Sequence, residues 1–347
     1  MKINMSESRK RRSTGKVTIA DVAAKAGVGT MTVSRALRTP ELVSSKLREK
    51  IEFVVEELGY IPNKAAGALA SGENYSIALI IPSLIEKSCA VFLPNFQHSL
   101  NRQGYQLLLG YSDYSIDNEE KLLATFLESQ PAAVVLFGSE HSSKSHQLLQ
   151  RANIPVIEIA ELNESSTYLN VGVDYYKVGK QCTQHLIENR YQNIGFIGAR
   201  SHHSVLRNEL RGWQSALIDN YQAPDHFLTT HEAPSAHLGK EGISKLLLRD
   251  STLDAVVCSH EEIALGVLFE CQRRLIKVPT EMAIICLDGS SLCQYAFPAI
   301  SAAHVNYEQL GLLAAERLLK QIKEQTLELE STNVGFQLQK RASTVRP

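Results

Sequence analysis

The chain contains no apolar run approaching the roughly 18 residues that cross a bilayer. Its N-terminus is polar and basic, without the apolar centre of a signal peptide, so a cytoplasmic protein is expected. Six cysteines, Cys89, Cys182, Cys258, Cys271, Cys286 and Cys293, form no CxxC pair, and several sit inside apolar runs such as VVCS and IICL. Buried reduced thiols are expected, rather than disulfides or a zinc site. A GxSxG elbow is missing, which removes the usual serine hydrolase arrangement. GFIGAR falls one glycine short of a dinucleotide fingerprint. His202 and His203 are adjacent but have no carboxylate or third histidine at helical spacing, so a pocket-rim loop is expected there in place of a metal site. No catalytic residues, metal or cofactor are expected.

What is present is enough for two or three domains: 347 residues, 44% hydrophobic and 21% charged. The net charge of −1 conceals an asymmetry. Residues 1–72 hold 13 Lys/Arg against 7 Asp/Glu, whereas the remainder holds 23 against 30. A basic end on an acidic body suits phosphate contact at that end alone, because counterion release rewards local positive charge.

Within that basic end, Ile19, Val22, Ala23, Ala26, Val28, Val33 and Leu37 recur at spacings of mostly three and four, the period of short helices burying one face. Thr18 with Asp21 three residues later approximates a capping box, with Asp in place of Glu. Gly27-Val28-Gly29 breaks the pattern, and a second series restarts at Met31. Helix, glycine turn and helix is the layout of a helix-turn-helix, although any small helical hairpin shares it. Ser34 and Arg35 on the second helix and the cluster Arg9-Lys10-Arg11-Arg12 upstream favour DNA. A third helix is expected over Ser45 to Leu58, with the stripe Leu47, Ile51, Val54, Val55 and Leu58, stopped by Gly59. Residues 1–16 read as a disordered basic arm, and 63–74, small and weakly hydrophobic, as a linker.

From Tyr75 onward, short apolar runs alternate with amphipathic stretches: 77–82, 105–111, 132–138, 154–159, 193–198, 254–259 and 282–288. Runs rich in β-branched residues and separated by helices imply parallel strands covered on both faces. The expected class is α/β, a doubly wound core of two similar subdomains with a ligand site at the strand C-termini.

The segments TIADVAAKAGV, MTVSRAL, VSSKLREKI and ELGYIPNKAA resemble the N-terminus of lactose/galactose-repressor family transcription regulators, almost position by position. The resemblance implies a helix-turn-helix headpiece over 17–62, a hinge over 63–74, and a periplasmic-binding-protein-like core over 75–347. Its subdomains would be about 75–173 with 306–333, and about 174–305 with 334–347. It further implies a dimeric repressor on palindromic double-stranded operator DNA, modulated by a small effector between the subdomains. By the same resemblance, Thr30 and Met31 discriminate operators and Arg35 reaches a guanine or a phosphate. Thr32 and Ser34 set register through phosphate or cap contacts, Thr18 is a further DNA-binding residue, Asn63 contacts DNA from the hinge, and Leu69 is the minor-groove wedge. Gly29 departs from the family's Ser or Thr and removes an N-cap, worth about 1 kcal/mol.

For the effector, IIPSL resembles the first strand-loop, whose serine is here Ser83, and LDGSS places Asp288 at the usual sugar-hydroxyl acceptor. IPVIEIAE, with Glu158, and ECQRRLIKVPTEMAI resemble the gluconate-repressor branch, implying a gluconate-like sugar or sugar acid. Two positions depart from the pattern. His260-Glu261 replaces Asn-Asp, and Glu209 stands where an arginine is usual, leaving Arg207, Arg211, Arg200 or His260 to meet a carboxylate. Two other readings remain open: a regulator with a degenerate or differently specific pocket, and a sugar-modifying enzyme with an accessory DNA-binding domain. Val91, Phe92, Leu93, Phe96 and Leu100 either form a dimer face or pack on a sheet. The C-terminal segment is too short and polar for a tetramerising heptad, so a dimer is expected.

Overall fold

The computed structural model describes residues 17–61, 74–200, 202–324 and 329–346. It divides into two compact units, Met1–Asn74 and Tyr75–Pro347. The basic arm over 1–16 and residues 63–73 of the hinge, Asn63 and Leu69 among them, lie outside the described residues.

The first unit holds α1 (Ile19–Ala26), α2 (Thr30–Arg38) and α3 (Ser45–Leu58). A reciprocal capping box starts α1. The Thr18 hydroxyl accepts from the Asp21 N–H, and the Asp21 carboxylate accepts from the Thr18 N–H at 2.7 Å. Gly27 ends the helix at φ 68, a left-handed conformation that strains an L side chain. That turn lets Val22, Ala26, Val33, Ile51 and Val54 close one small core. Gly29 opens α2 with no side-chain cap. All three helices lie where the periodicity of the sequence put them.

The second unit begins with β1 (Ser76–Ile81), α4 (Lys87–Asn101), β2 (Gln106–Tyr111), α5 (Ile116–Glu128), β3 (Ala133–Phe137), α6 (Ser143–Ala152), β4 (Val156–Glu161) and β5 (Leu169–Val173). It continues through α7 (Tyr175–Glu188), β6 (Ile194–Gly198), α8 (Ser204–Asp219), β7 (Phe227–Thr229), α9 (Ala236–Arg249), β8 (Ala255–Cys258) and α10 (Glu261–Arg273). The last elements are β9 (Ala283–Cys286), α11 (Ser291–Tyr295), β10 (Ser301–His304), α12 (Tyr307–Glu324), β11 (Ser331–Asn333) and β12 (Gln337–Gln339).

These strands form two six-stranded sheets, ordered β11-β5-β4-β3-β1-β2 and β12-β10-β9-β8-β6-β7. All neighbours are parallel except β10 and β12. The same doubly wound order therefore occurs twice, and the chain passes between the sheets after β5, after β10 and between β11 and β12. Ile77, Ala78, Leu79, Ile80 and Ile81 are buried in succession, as expected of strands covered on both faces. Phe92, Phe96 and Leu100 on α4 are fully buried, and Val91 and Leu93 pack against the same core. Phe92, Phe96 and Leu100 are therefore spent on the core of this unit, the second of the two roles the sequence allowed them. All six cysteines are buried and free, as the sequence predicts.

Candidate nucleic-acid interface and ligand cleft

In the first unit, α2 divides its residues between two jobs. Val33 and Ala36 anchor it in the core, while Thr30, Met31 and Arg35 are exposed and Thr32 and Ser34 half-buried. Met31 is 75% exposed, an apolar side chain the unit does not use for folding. Among the described residues no hydrogen bond or ion pair holds the Arg35 guanidinium, which leaves its fork free for a guanine edge or a phosphate. Thr18 is exposed at the start of α1, and its hydroxyl is committed to Asp21 at 2.7 Å.

In the second unit, a cavity of about 240 Å³ opens where the carboxyl ends of the two sheets meet. Its lining comes from the segments after the strands: Glu86 and Lys87 after β1, Tyr114 after β2, Phe137 and Gly138 at β3, Glu161 closing β4, and Tyr175 after β5. The other sheet contributes Arg200 and His203 after β6, Ser259, His260, Glu261 and Glu262 after β8, Asp288 after β9 and Tyr307 after β10. Doubly wound sheets bind ligands at this crevice because the strand order reverses there and the loops part.

Polar bridges close the cleft. Lys87 Nζ lies 2.9 Å from Asp288 Oδ1 and donates to the Gly289 carbonyl at 2.8 Å. Arg200 Nε donates to Glu86 Oε1 at 2.9 Å, and its guanidinium lies 3.8 Å from the Tyr114 ring centroid. Glu161 accepts from the hydroxyls of Ser139 and Ser204 at 2.5 Å each and from the Asn208 amide at 2.7 Å. Each of these links joins groups carried by different sheets, apart from the Ser139–Glu161 contact.

Six carboxylates line the cavity (Glu86, Glu161, Glu209, Glu261, Glu262 and Asp288) against two permanent cations, Lys87 and Arg200. Burial, His202 and the guanidinium groups of Arg200 and Arg207 push His203 down to about 4, so it adds no charge at neutral pH. Glu209 on α8 is 2% exposed, and among the described residues its Oε2 has no hydrogen-bond partner. Burial, with the nearby Asp288 and Glu161 carboxylates, raises its carboxyl well above the usual range, which makes it a neutral acid.

Of the effector residues expected from sequence, His260 and Asp288 reach the cavity; Ser83, Glu158, Arg207 and Arg211 do not line it. Ser83 is buried, and its Oγ accepts from the backbone N–H groups of Ile85 and Glu86, shaping the loop that presents Glu86. Glu158 lies inside β4, not beyond it, and pairs with His141 Nε2 at 3.6 Å. The strand runs two residues past its expected end, so Glu161 is the carboxylate at its mouth. Arg207 binds Glu140 and the His202 carbonyl on the outside, and among the described residues Arg211 reaches only Asn208, at 3.3 Å. His260 heads α10, with Nδ1 2.8 Å from Ser259 Oγ.

Residues 18–63 match the family model of bacterial regulatory proteins, lacI family, and residues 183–344 match a periplasmic binding protein-like domain. The chain is 31% identical over 320 residues to the HTH-type transcriptional regulator GntR of Escherichia coli strain K12, an alignment covering 92% of this chain and 96% of that one. It belongs to the lacI family. This lacI-family chain is 64% identical to a PurR family transcriptional regulator from Vibrio parahaemolyticus, whose structure covers 79% of this chain and 100% of its own at a TM-score of 0.75. A lacI-family regulator from Silicibacter pomeroyi is 29% identical, covers 95% of this chain and 100% of its own, and has a TM-score of 0.85. The chain is a DNA-binding transcription regulator, and its relatives are regulators and not enzymes. Among the described residues no helix is long and apolar enough to cross a membrane.

Sequence reasoning missed Lys87, Glu86, Tyr114 and Glu161 as cleft residues, and left Glu209 as a departure without a role. A signal for Glu209 was available. Leu206, Glu209, Gly212, Trp213, Ala216 and Leu217 form the buried stripe of α8, and a carboxylate on such a stripe is rarely there without a reason.

Proposed function

We propose that the chain is a repressor that binds a palindromic operator as a homodimer, and that a small sugar or sugar-acid effector in the cleft modulates it. The supporting observation is that the two sheets are joined across the cavity by exchangeable polar links, Lys87–Asp288, Arg200–Glu86 and Glu161–Ser204. A hydroxylated ligand can substitute for any of them. It then shifts the relative arrangement of the sheets by its differential affinity for the two states. On the DNA side, α2 of each copy fills one major-groove half-site, with Thr30, Met31 and Arg35 reading bases and Thr18, Thr32 and Ser34 setting register. Asn63 and Leu69 act from the hinge, Leu69 as an apolar wedge in the minor groove. In this reading the protein works in the cytoplasm and catalyses no reaction, and Ser83 supports the cleft by shaping its first loop.

Fluorescence anisotropy of the purified chain on its own upstream DNA tests the proposal. Tight, salt-sensitive binding that vanishes on deletion of residues 1–72 is expected. Binding that survives the deletion would sink it, and an unchanged affinity for Leu69→Ala would remove the wedge. A second reading, an altered pocket specificity, is favoured by one observation: the usual arginine position is occupied by the neutral acid Glu209.

A further inference from the structure

We propose that the cleft selects an effector carrying a protonated primary amine, an amino sugar, whose ammonium group docks against Glu209 beside Glu161 and Asp288. The inference rests on reading the cleft as the effector site and narrows the ligand class within it.

The cleft has no uncommitted cation among its lining residues to offer an anion. Its two permanent cations are both engaged, Lys87 with Asp288 at 2.9 Å and Arg200 with Glu86 at 2.9 Å. Arg207 and Arg211 lie outside the lining. A ligand carboxylate would have to strip a cation from Asp288 or Glu86, leaving a half-buried carboxylate alone and gaining no net ion pair.

Glu209 is 2% exposed, lines the cavity, and among the described residues its Oε2 has no partner. A buried acid retained only for structure would be satisfied, because buried polar groups in folded proteins are almost always hydrogen-bonded. The groups that face it are Glu161 at the end of β4, Asp288 after β9, Tyr175 and Cys182 on α7, and Tyr307 on α12. None of these is a cation. Lys87 stands behind Asp288 and is consumed there. Among the described residues the Glu161 carboxylate receives only neutral donors, from Ser139, Ser204 and Asn208. The inner wall therefore lacks one positive charge, and a primary ammonium supplies it with three N–H donors.

The proton balance follows. In the empty cleft Glu209 carries its proton. When the ammonium enters with its own proton, Glu209 ionises and releases one proton to solvent, leaving a charge-assisted pair. No bond to carbon is made or broken.

Isothermal titration of the full chain is the test, with D-glucosamine, D-galactosamine, D-glucose and D-gluconate, in buffers of different ionisation enthalpy and below the amine's own titration range. At least one amino sugar should bind about tenfold or more tighter than glucose, and its apparent enthalpy should depend on the buffer. Glu209→Gln, nearly the same shape as the neutral acid, should lose the proton release and most of the amine preference. Glu209→Lys should reverse the preference toward gluconate. A melting curve of each variant confirms that it is folded. Tighter binding of gluconate or glucose to the unaltered chain overturns the inference while leaving the cleft as the effector site. Amine binding without buffer dependence, or equally strong in Glu209→Gln, overturns it as well. Silence toward all four sugars overturns both the inference and the sugar-effector reading.

Discussion

Gly179 on α7 faces α8 at the point where Glu209 is carried, and a Cβ there would sit 2.1 Å from the Glu209 carbonyl oxygen. Ordinary C···O contacts begin at about 3.3 Å, so Gly179→Ala forces the two helices apart by about 1 Å. Two effects oppose each other. Alanine improves helix propensity by about 0.8–1.0 kcal/mol. Overpacking against a backbone atom, which has no rotamer to escape into, costs about 1–3 kcal/mol or more, and a gap of that size forfeits a quarter to a half of each dispersion contact it opens. The clash wins, with a net loss of about 2 kcal/mol. In a unit of this size that is a fall in Tm of roughly 4–8 °C. Gly212→Ala meets the Tyr176 carbonyl at 2.1 Å from the other side, and the double variant should fall well short of additive because both substitutions open one interface. Differential scanning calorimetry of the full chain, following the larger transition, measures this. An unchanged or raised Tm for Gly179→Ala would show that α8 slides freely on α7 and that the position of Glu209 is not fixed by their contact.

Gly29 heads α2 in an extended conformation, and a Cβ added there meets nothing within 4 Å, so Gly29→Ser adds the missing cap without strain. Hydrogen exchange in α1 and α2 should slow by an amount corresponding to about 0.5–1 kcal/mol, and unchanged or faster exchange refutes the role given to the cap. Arg35→Ala should cost about 1–3 kcal/mol on the preferred operator and relax specificity at one base pair; a uniform loss across all sequences, with a shallower salt slope, would instead assign Arg35 to phosphate. Glu209 is held protonated in the fold, whereas the unfolded chain releases that proton around the ordinary value of 4.5. Its contribution to stability is complete below that pH and is lost as pH rises toward the raised folded value. Glu209→Gln stays neutral throughout, so its urea midpoint should match the parent at low pH and exceed it progressively above about 4.5. Midpoints differing by a constant amount at every pH would contradict the buried neutral acid.

Much of this architecture could be read from the sequence because its local signals agree with one another. Thr18, Asp21 and Gly27 fix both ends of α1 by short-range hydrogen bonds and backbone conformation, and Ile51 and Val54 sit on an unbroken stripe. Ile77–Ile81 is continuous enough to be nothing but a covered strand. The strands that escaped notice are those whose cause is tertiary. LNVGV in β5 carries Asn170 among its apolar residues; its side-chain NH2 donates to the carbonyls of Glu158 and Glu161 on the neighbouring strand, at 3.5 and 3.0 Å, and its Oδ1 accepts from the Asn163 N–H at 3.0 Å. β7, β11 and β12 are three residues each and β10 is four, held by pairing and not by pattern. The cleft was harder to read for the same reason. Lys87 and Asp288 stand 201 positions apart, and Arg200 and Glu86 stand 114 apart, so the pairing that decides whether a cation is free has no local signature. Glu158 and Glu161 are three residues apart on one strand, and which of them meets the cavity depended on an end that shifted by two residues.

The cleft also bears on how a small ligand could supply enough free energy to move the protein. Two polar atoms at its wall, Glu209 Oε2 and His203 Nε2, have no partner in the described structure. Each such group forfeits about 1–3 kcal/mol relative to a satisfied one. A ligand that satisfies even one of these atoms without breaking the Lys87–Asp288 or Arg200–Glu86 pair gains that amount in the bridged state alone, on top of its ordinary contacts. A differential of about 3 kcal/mol is at the upper end of typical allosteric coupling energies and corresponds to an affinity ratio of roughly 150. The sign depends on which link the ligand replaces. A group that meets Glu209 and spares both ion pairs stabilises the bridged arrangement, whereas one that displaces Lys87 or Arg200 loosens it. Ligands of opposite charge should therefore drive the sheets in opposite directions, and the orphaned carboxyl of Glu209 is the residue that makes the difference.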